Sequence, residues 1–162
     1  MSNAKKIVLL GHFNVGKSSL IRRFVENLFT DDYRVTIGVH ILKKTILSEN
    51  NTENTLVIWD IEGKEDVNGV RPSYLMGASG FIYVIDPTRI HTYQNLNNEI
   101  KFINKNYPKT PIITVANKSD LINTDEFQKQ LINLNITIDY LTSAKTGDSV
   151  ESIFRNLAKE IF

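Results

Sequence analysis

The segment Gly11-His12-Phe13-Asn14-Val15-Gly16-Lys17-Ser18 spaces two glycines so that the chain can wrap around an anion. Glycine tolerates the backbone angles such a curl needs, and the N–H groups from Asn14 through Ser19 then converge on one point. A helix starting here adds its partial positive charge. Lys17 can reach the β- and γ-phosphates of a nucleotide, and the Ser18 hydroxyl can bind Mg²⁺. A second cluster, Asn117-Lys118-Ser119-Asp120, offers different chemistry. The Asp120 carboxylate can accept from both the ring N–H and the exocyclic amine of guanine, a donor pair that adenine lacks. Asn117 can tie loops together and touch the base, while the Lys118 stem covers a base face. Thr142-Ser143-Ala144-Lys145 offers the Ala144 N–H to the guanine O6. The histidines His12, His40 and His91 have no metal or triad spacing.

These groups need a scaffold that brings loop ends together. Ile7-Val8-Leu9-Leu10 reads as a buried strand, and apolar positions from Gly16 to about Leu28 fall at helical spacing. Residues 38–47 and 55–60 read as strands joined by a polar hairpin loop. A strand over 81–86 stops at Pro87, and a helix follows at about 90–106. Then come a strand at 112–116, a helix near 124–134, a short strand near 137–141 and a last helix from Ser149. Apolar runs alternating with amphipathic stretches give an α/β fold: a six-stranded, mostly parallel sheet with one antiparallel strand and about five helices.

Composition narrows the classes further. A length of 162 residues with 41% hydrophobic and 23% charged residues suits one domain over 1–162, with residues 1–4 resembling an expression remnant outside the fold. The formal net charge of +1 supplies no field to attract nucleic acid. The absence of cysteine excludes thiolate catalysis, cysteine-bound zinc, disulfides and prenyl or palmitoyl attachment. No apolar run approaches the roughly 18 residues of a membrane span. A cytoplasmic monomer with no membrane anchor of its own is the expectation.

Taken in order, these motifs resemble the Ras-like small GTPases, and among them the Rab branch, over essentially the whole chain. Phe29-Thr-Asp-Asp-Tyr-Arg-Val-Thr-Ile-Gly-Val39 is similar to the Rab first switch. The resemblance implies a G domain that binds GTP/GDP with Mg²⁺. It also implies that Phe29 packs on the base, Tyr33 covers the phosphates, and Thr36 binds Mg²⁺ and senses the γ-phosphate. Ile58-Trp59-Asp60 is similar to the Rab stretch before the second switch, where Asp60 holds Mg²⁺ through water. Lys17, Thr36, Gly63 and position 64 take the catalytic roles. The Rab triad that reads partners falls on Ile41, Trp59 and Tyr74, with isoleucine in place of the usual phenylalanine. Effectors, exchange factors and activating proteins are the partners implied, engaged through the two switch regions.

The departures lie in the second switch and at Phe13. Asp60-Ile61-Glu62-Gly63-Lys64 stands where the branch usually has Asp-Thr-Ala-Gly-Gln. Lysine has donors and no acceptor, so Lys64 cannot orient the attacking water as an amide does. Phe13 occupies a position that small GTPases keep small, and its ring should crowd the entry of an activating arginine, commonly worth ~10³–10⁵ in rate. Glu62 brings a carboxylate toward the γ-phosphate, to be offset by swinging out or pairing with Lys17 or Lys64. The leading expectation is a switch that hydrolyses GTP slowly. The alternative is a non-hydrolysing module that keeps nucleotide as a structural cofactor and recruits a protein. Asp120 opposes an ATP-using kinase.

Overall fold

A computed structural model describes residues 3–162. The six strands are β1 (Asn3–Leu10), β2 (Val39–Leu47), β3 (Glu53–Ile61), β4 (Gly80–Ile85), β5 (Ile112–Ala116) and β6 (Tyr140–Leu141). They lie in the order β2-β3-β1-β4-β5-β6, with β2 antiparallel to β3 and every other pairing parallel. The α-helices are α1 (Lys17–Glu26), α2 (Pro72–Leu75), α3 (Leu96–Asn106), α4 (Thr124–Asn133) and α5 (Val150–Ile161).

Side chains alternate across a strand, so each strand feeds two cores. Ile7 and Leu9 face one apolar cluster with Leu20, Phe24, Phe154 and Leu157 of α1 and α5. Val8 and Leu10 face the other, with Ile103 of α3 and Phe127 and Leu131 of α4. Phe24 and Phe154 stack with ring centroids 4.1 Å apart, locking α1 to α5. Because β1, β4, β5 and β6 run parallel, their carboxyl ends share one edge of the sheet. The loops after Leu10, Ile85, Ala116 and Leu141 all emerge there, which is where such sheets bind ligands.

Three local expectations change and one short helix, α2, is new. β1 begins at Asn3, with Asn3 and Ala4 paired to Asn54 and Thr55, so these two residues belong to the sheet. Backbone pairing with the long β2–β3 hairpin extends the strand beyond its apolar run; Met1 and Ser2 lie outside the described residues. The helix expected over 90–106 splits into a 3-10 turn, Ile90–Thr92, and α3. The Thr92 hydroxyl receives the Asp86 N–H at 3.0 Å and donates to Arg89 O at 2.8 Å, folding this stretch back onto the end of β4. α2 spans too few residues to show a period, and Pro72 opens it. β6 is shorter than expected because Asp139 substitutes for ladder bonds: its carboxylate accepts the Thr114 N–H at 2.7 Å.

α3 also buries a carboxylate. Glu99 Oε2 accepts the Val67 N–H at 2.7 Å and so anchors the loop between β3 and α2. Burial pushes the Glu99 pKa up, against the Val67 N–H, and nearby Asp66 adds to the rise. The folded chain therefore holds this proton more tightly than the unfolded chain does. The resulting stability is full below the ordinary carboxylate range and is lost as pH rises through the raised value. Glu99→Gln keeps an acceptor for Val67 without a charge to bury. It should raise Tm by a few degrees near neutral pH, and melts in acid should show the gain vanish. In the other core, Phe154→Ala should cost about 3–5 kcal/mol in urea unfolding, since it empties the site against Phe24.

Candidate functional site

The phosphate loop closes as tightly as its glycines allow. At Gly11, with φ +136°, a Cβ would lie 2.2 Å from the Val84 carbonyl oxygen. At Gly16, with φ +98°, it would lie 2.1 Å from Asn117 Nδ2. Any side chain at either position would displace the loop. Lys17 is buried beneath it and donates to Gly11 O at 2.9 Å and His12 O at 2.7 Å. Burial lowers its pKa to about 8, with the Asp60 carboxylate opposing the shift. An ammonium has three N–H groups, so one remains for a ligand.

Three oxygens from distant parts of the chain meet beside this lysine. Ser18 Oγ lies 2.9 Å from Thr36 Oγ1 and donates to Asp60 Oδ2 at 2.5 Å. Asp60 is buried, and its other oxygen, Oδ1, has no hydrogen-bond partner. Burial raises the Asp60 pKa, against the Ser18 hydroxyl and the Lys17 charge. Two hydroxyls and an unsatisfied carboxylate oxygen form a hard oxygen set, which suits Mg²⁺. Among the described residues no group of three His, Cys, Asp or Glu side chains could hold a metal ion.

At the base end, Asn117 Nδ2 donates to Val15 O at 3.0 Å, and Asn117 Oδ1 accepts the Ala144 N–H at 3.1 Å. The Ala144 N–H was expected to face a guanine O6. Here it serves Asn117, so a base could only share it. Ser143 Oγ donates to Asp120 Oδ1 at 2.6 Å, fixing one carboxylate oxygen and leaving the other for a ligand. Arg23 of α1 braces the same loop through Ala144 O at 2.8 Å and Lys145 O at 2.6 Å. A cleft of about 290 Å³ lies among Phe29, Asn117, Lys118, Asp120 and Lys145. A second cleft, about 480 Å³, lies among Lys17, Ser18, Thr36, Gly63 and Lys64. Asn14, Gly16, Ser19, Phe29 and Tyr33 line both, so the two form one elongated trough.

The two expected switch segments close over the phosphate end. Glu62 N–H donates to Gly38 O at 2.9 Å, joining the segments through their backbones. Gly63 abuts the phosphate loop so closely that a Cβ would lie 2.3 Å from Phe13 N. Glu62 pairs with Lys64 at 3.2 Å, and that partner holds its pKa below the usual carboxylate range. Phe13 is 55% exposed, with its ring 6.4 Å from that of Tyr33. On the outer face Ile41 sits opposite Trp59, and the Trp59 and Tyr74 rings are 6.3 Å apart. Lys6 Nζ lies 3.6 Å over the Trp59 ring, while Val35, Ile37 and Met76 stand exposed nearby in sequence.

Residue spacing did not single out Asp86, Arg89, Glu99 or Arg23. Asp86 carried the only available signal, a carboxylate ending a buried strand at the ligand edge of the sheet. Arg23 is a cation in the last turn of an amphipathic helix, a common place for one, so its type alone carries no signal.

Comparison with known proteins agrees with this geometry. The Ras family model matches residues 6–162. The chain is 33% identical over 161 residues to Ras-related protein Rab-22A of Homo sapiens, covering 96% of this chain and 82% of that protein. The Canis lupus familiaris Rab-22A gives the same values. Family membership carries GTP binding and GTPase activity in their general form. With a phosphate loop, a guanine-type loop and two switch segments around one trough, the chain belongs to the Ras family of small GTPases, on its Rab-like branch.

Proposed function

We propose that this single G domain is a switch with a complete nucleotide-binding half and a weakened hydrolytic half. The observation that carries this reading is the Lys64–Glu62 ion pair on the wall of the phosphate cleft. Where the family places an amide that can both donate and accept, this chain has a donor-only ammonium already engaged by a carboxylate. Phe13 and Tyr33 add two rings at the same rim, narrowing the approach of an activating arginine.

Binding follows from the chain's own groups. The phosphate-loop N–H groups and the remaining Lys17 N–H hold the phosphates. Asp120 and Asn117 select guanine, while Phe29 and the Lys118 stem flank the base. Ser18, Thr36 and Asp60 hold Mg²⁺, which when bound neutralises charge on the β- and γ-phosphate oxygens. Thr36 and the Gly63 backbone tie the switches to the triphosphate form, and the apolar face of Ile41, Trp59 and Tyr74 reads that state to effectors and regulators. The near-neutral charge supports a protein partner over nucleic acid. No helix among the described residues is long and apolar enough to cross a membrane. Cytoplasmic residence and a monomeric state complete the proposal.

A second reading, nucleotide retention with no turnover, is favoured by the same ion pair. Single-turnover GTP hydrolysis separates the two. Slow but measurable phosphate release supports the switch; its complete absence supports the retention module. The Glu62→Ala/Lys64→Gln double variant should speed hydrolysis by on the order of ten- to a hundredfold by restoring an acceptor beside the attacking water. A wild-type rate equal to an ordinary Rab domain and unchanged in the double variant would contradict the account. Lys64→Gln alone leaves the Glu62 charge uncompensated, so it should weaken GTP binding relative to GDP. Adding Glu62→Ala should restore the ratio in a competition titration.

A further inference from the structure

The outer turn of the phosphate loop is held from behind by two cations on one buried carboxylate. Asp86, at the end of β4, is 1% exposed. Its Oδ2 accepts from Arg89 Nε at 3.0 Å and from Lys118 Nζ at 2.7 Å. Its Oδ1 accepts from the Thr88 N–H at 2.9 Å and the Thr88 hydroxyl at 2.6 Å. Burial works against ionisation, but Lys118 and the two Thr88 donors keep the Asp86 pKa below its usual value. Each cation then reaches on to the loop. Arg89 Nη2 donates to Phe13 O at 2.9 Å, and Lys118 Nζ donates to Asn14 O at 2.8 Å.

A trans peptide unit points its C=O and the next N–H in opposite directions. Pulling Phe13 O outward therefore turns the Asn14 N–H inward, and pulling Asn14 O outward does the same for the Val15 N–H. Asn14 has φ +58°, the left-handed region that asparagine tolerates better than most other non-glycine residues, and it sits at the apex of the turn that the two cations hold. Arg89 sits with its guanidinium carbon 6.0 Å from the Phe13 ring, so it meets both the backbone and the side chain of that residue. No part of Arg89 lines either half of the trough.

We propose that Arg89, oriented by Asp86, is a positioning residue for phosphate binding that sets the Asn14 N–H through the Phe13 carbonyl. Its guanidinium meets Asp86 through Nε and the Phe13 carbonyl through Nη2, two separated N–H groups on one planar fork. Lys118, by contrast, serves both of its acceptors from a single nitrogen at the end of a different stem. The inference rests on the guanine-nucleotide reading of the trough and adds a residue outside the sequence motifs. Removing Arg89 leaves Asp86 paired with Lys118 and Thr88, so no unpaired charge is stranded and the fold should survive.

The test is the release rate of N-methylanthraniloyl GDP and of a non-hydrolysable N-methylanthraniloyl GTP analogue, chased with unlabelled nucleotide in Mg²⁺. Arg89→Ala should release both on the order of tenfold faster, the loss of one charge-assisted hydrogen bond, and by similar factors for the two. Arg89→Lys should recover only part of the loss. The ratio of GDP to inosine diphosphate affinity should stay at the wild-type value, because Asp120 is untouched. The acceleration should persist in a Phe13→Gly background, because the bond is to the backbone oxygen. Arg89→Ala release within twofold of wild type would overturn the inference. So would an effect that disappears with the Phe13 ring, full rescue by lysine, or a changed guanine-to-inosine ratio. Wild-type protein that takes up no guanine nucleotide would overturn the functional reading and this inference with it.

Discussion

Asn117 joins the three loops that make the trough. Its carboxamide is buried, donating to Val15 in the phosphate loop and accepting from Ala144 in the last loop. Gly16 leaves no room for a Cβ beside it, so the loops are packed as well as bonded. A buried amide left without partners is costly, which makes these loops depend on one another. The phosphate end and the base end are consequently one cooperative unit. Asp86 repeats the device further out, linking the phosphate loop to Lys118 of the base loop and to Arg89.

Against that rigid half, the switch half is held by fewer and more exposed contacts. Val35 and Ile37 are largely solvent-exposed, and the ion pair between Glu62 and Lys64 is itself partly exposed. Exposed ion pairs contribute little to stability, so this pair tunes charge at the cleft more than it anchors the loop. The firmer anchors are Glu99 against Val67 and the backbone bond from Glu62 to Gly38. Such a division suits a protein in which nucleotide is held constantly while the surface around it changes.

The sequence was most legible where one residue type alone can satisfy a local demand. Gly11 and Gly16 mark tight backbone, Ile7 to Leu10 and Phe81 to Ile85 mark buried strands, and both patterns survive in the fold. The break in the 90–106 stretch was not legible, because Tyr93 and Leu96 keep apolar spacing while the Thr92 hydroxyl bends the chain back to Asp86. α2 was too short to show a period. Asp86 and Arg89 were hidden for another reason. Their role depends on partners 76 positions away in Phe13 and 32 away in Lys118, and no local pattern reports such pairings. The pairing of Glu62 with Lys64 was one of the arrangements the residues allowed, and the fold selects it.

The most direct test of the central claim is the nucleotide that the protein itself retains. Purified protein is incubated with equal GTP and ATP in Mg²⁺, separated from free nucleotide, held, and heated so that bound nucleotide is released and quantified by chromatography. The account predicts about one guanine nucleotide per chain, a persistent triphosphate fraction and no adenine nucleotide. Adenine nucleotide, no nucleotide, or guanine nucleotide already converted fully to diphosphate would contradict it.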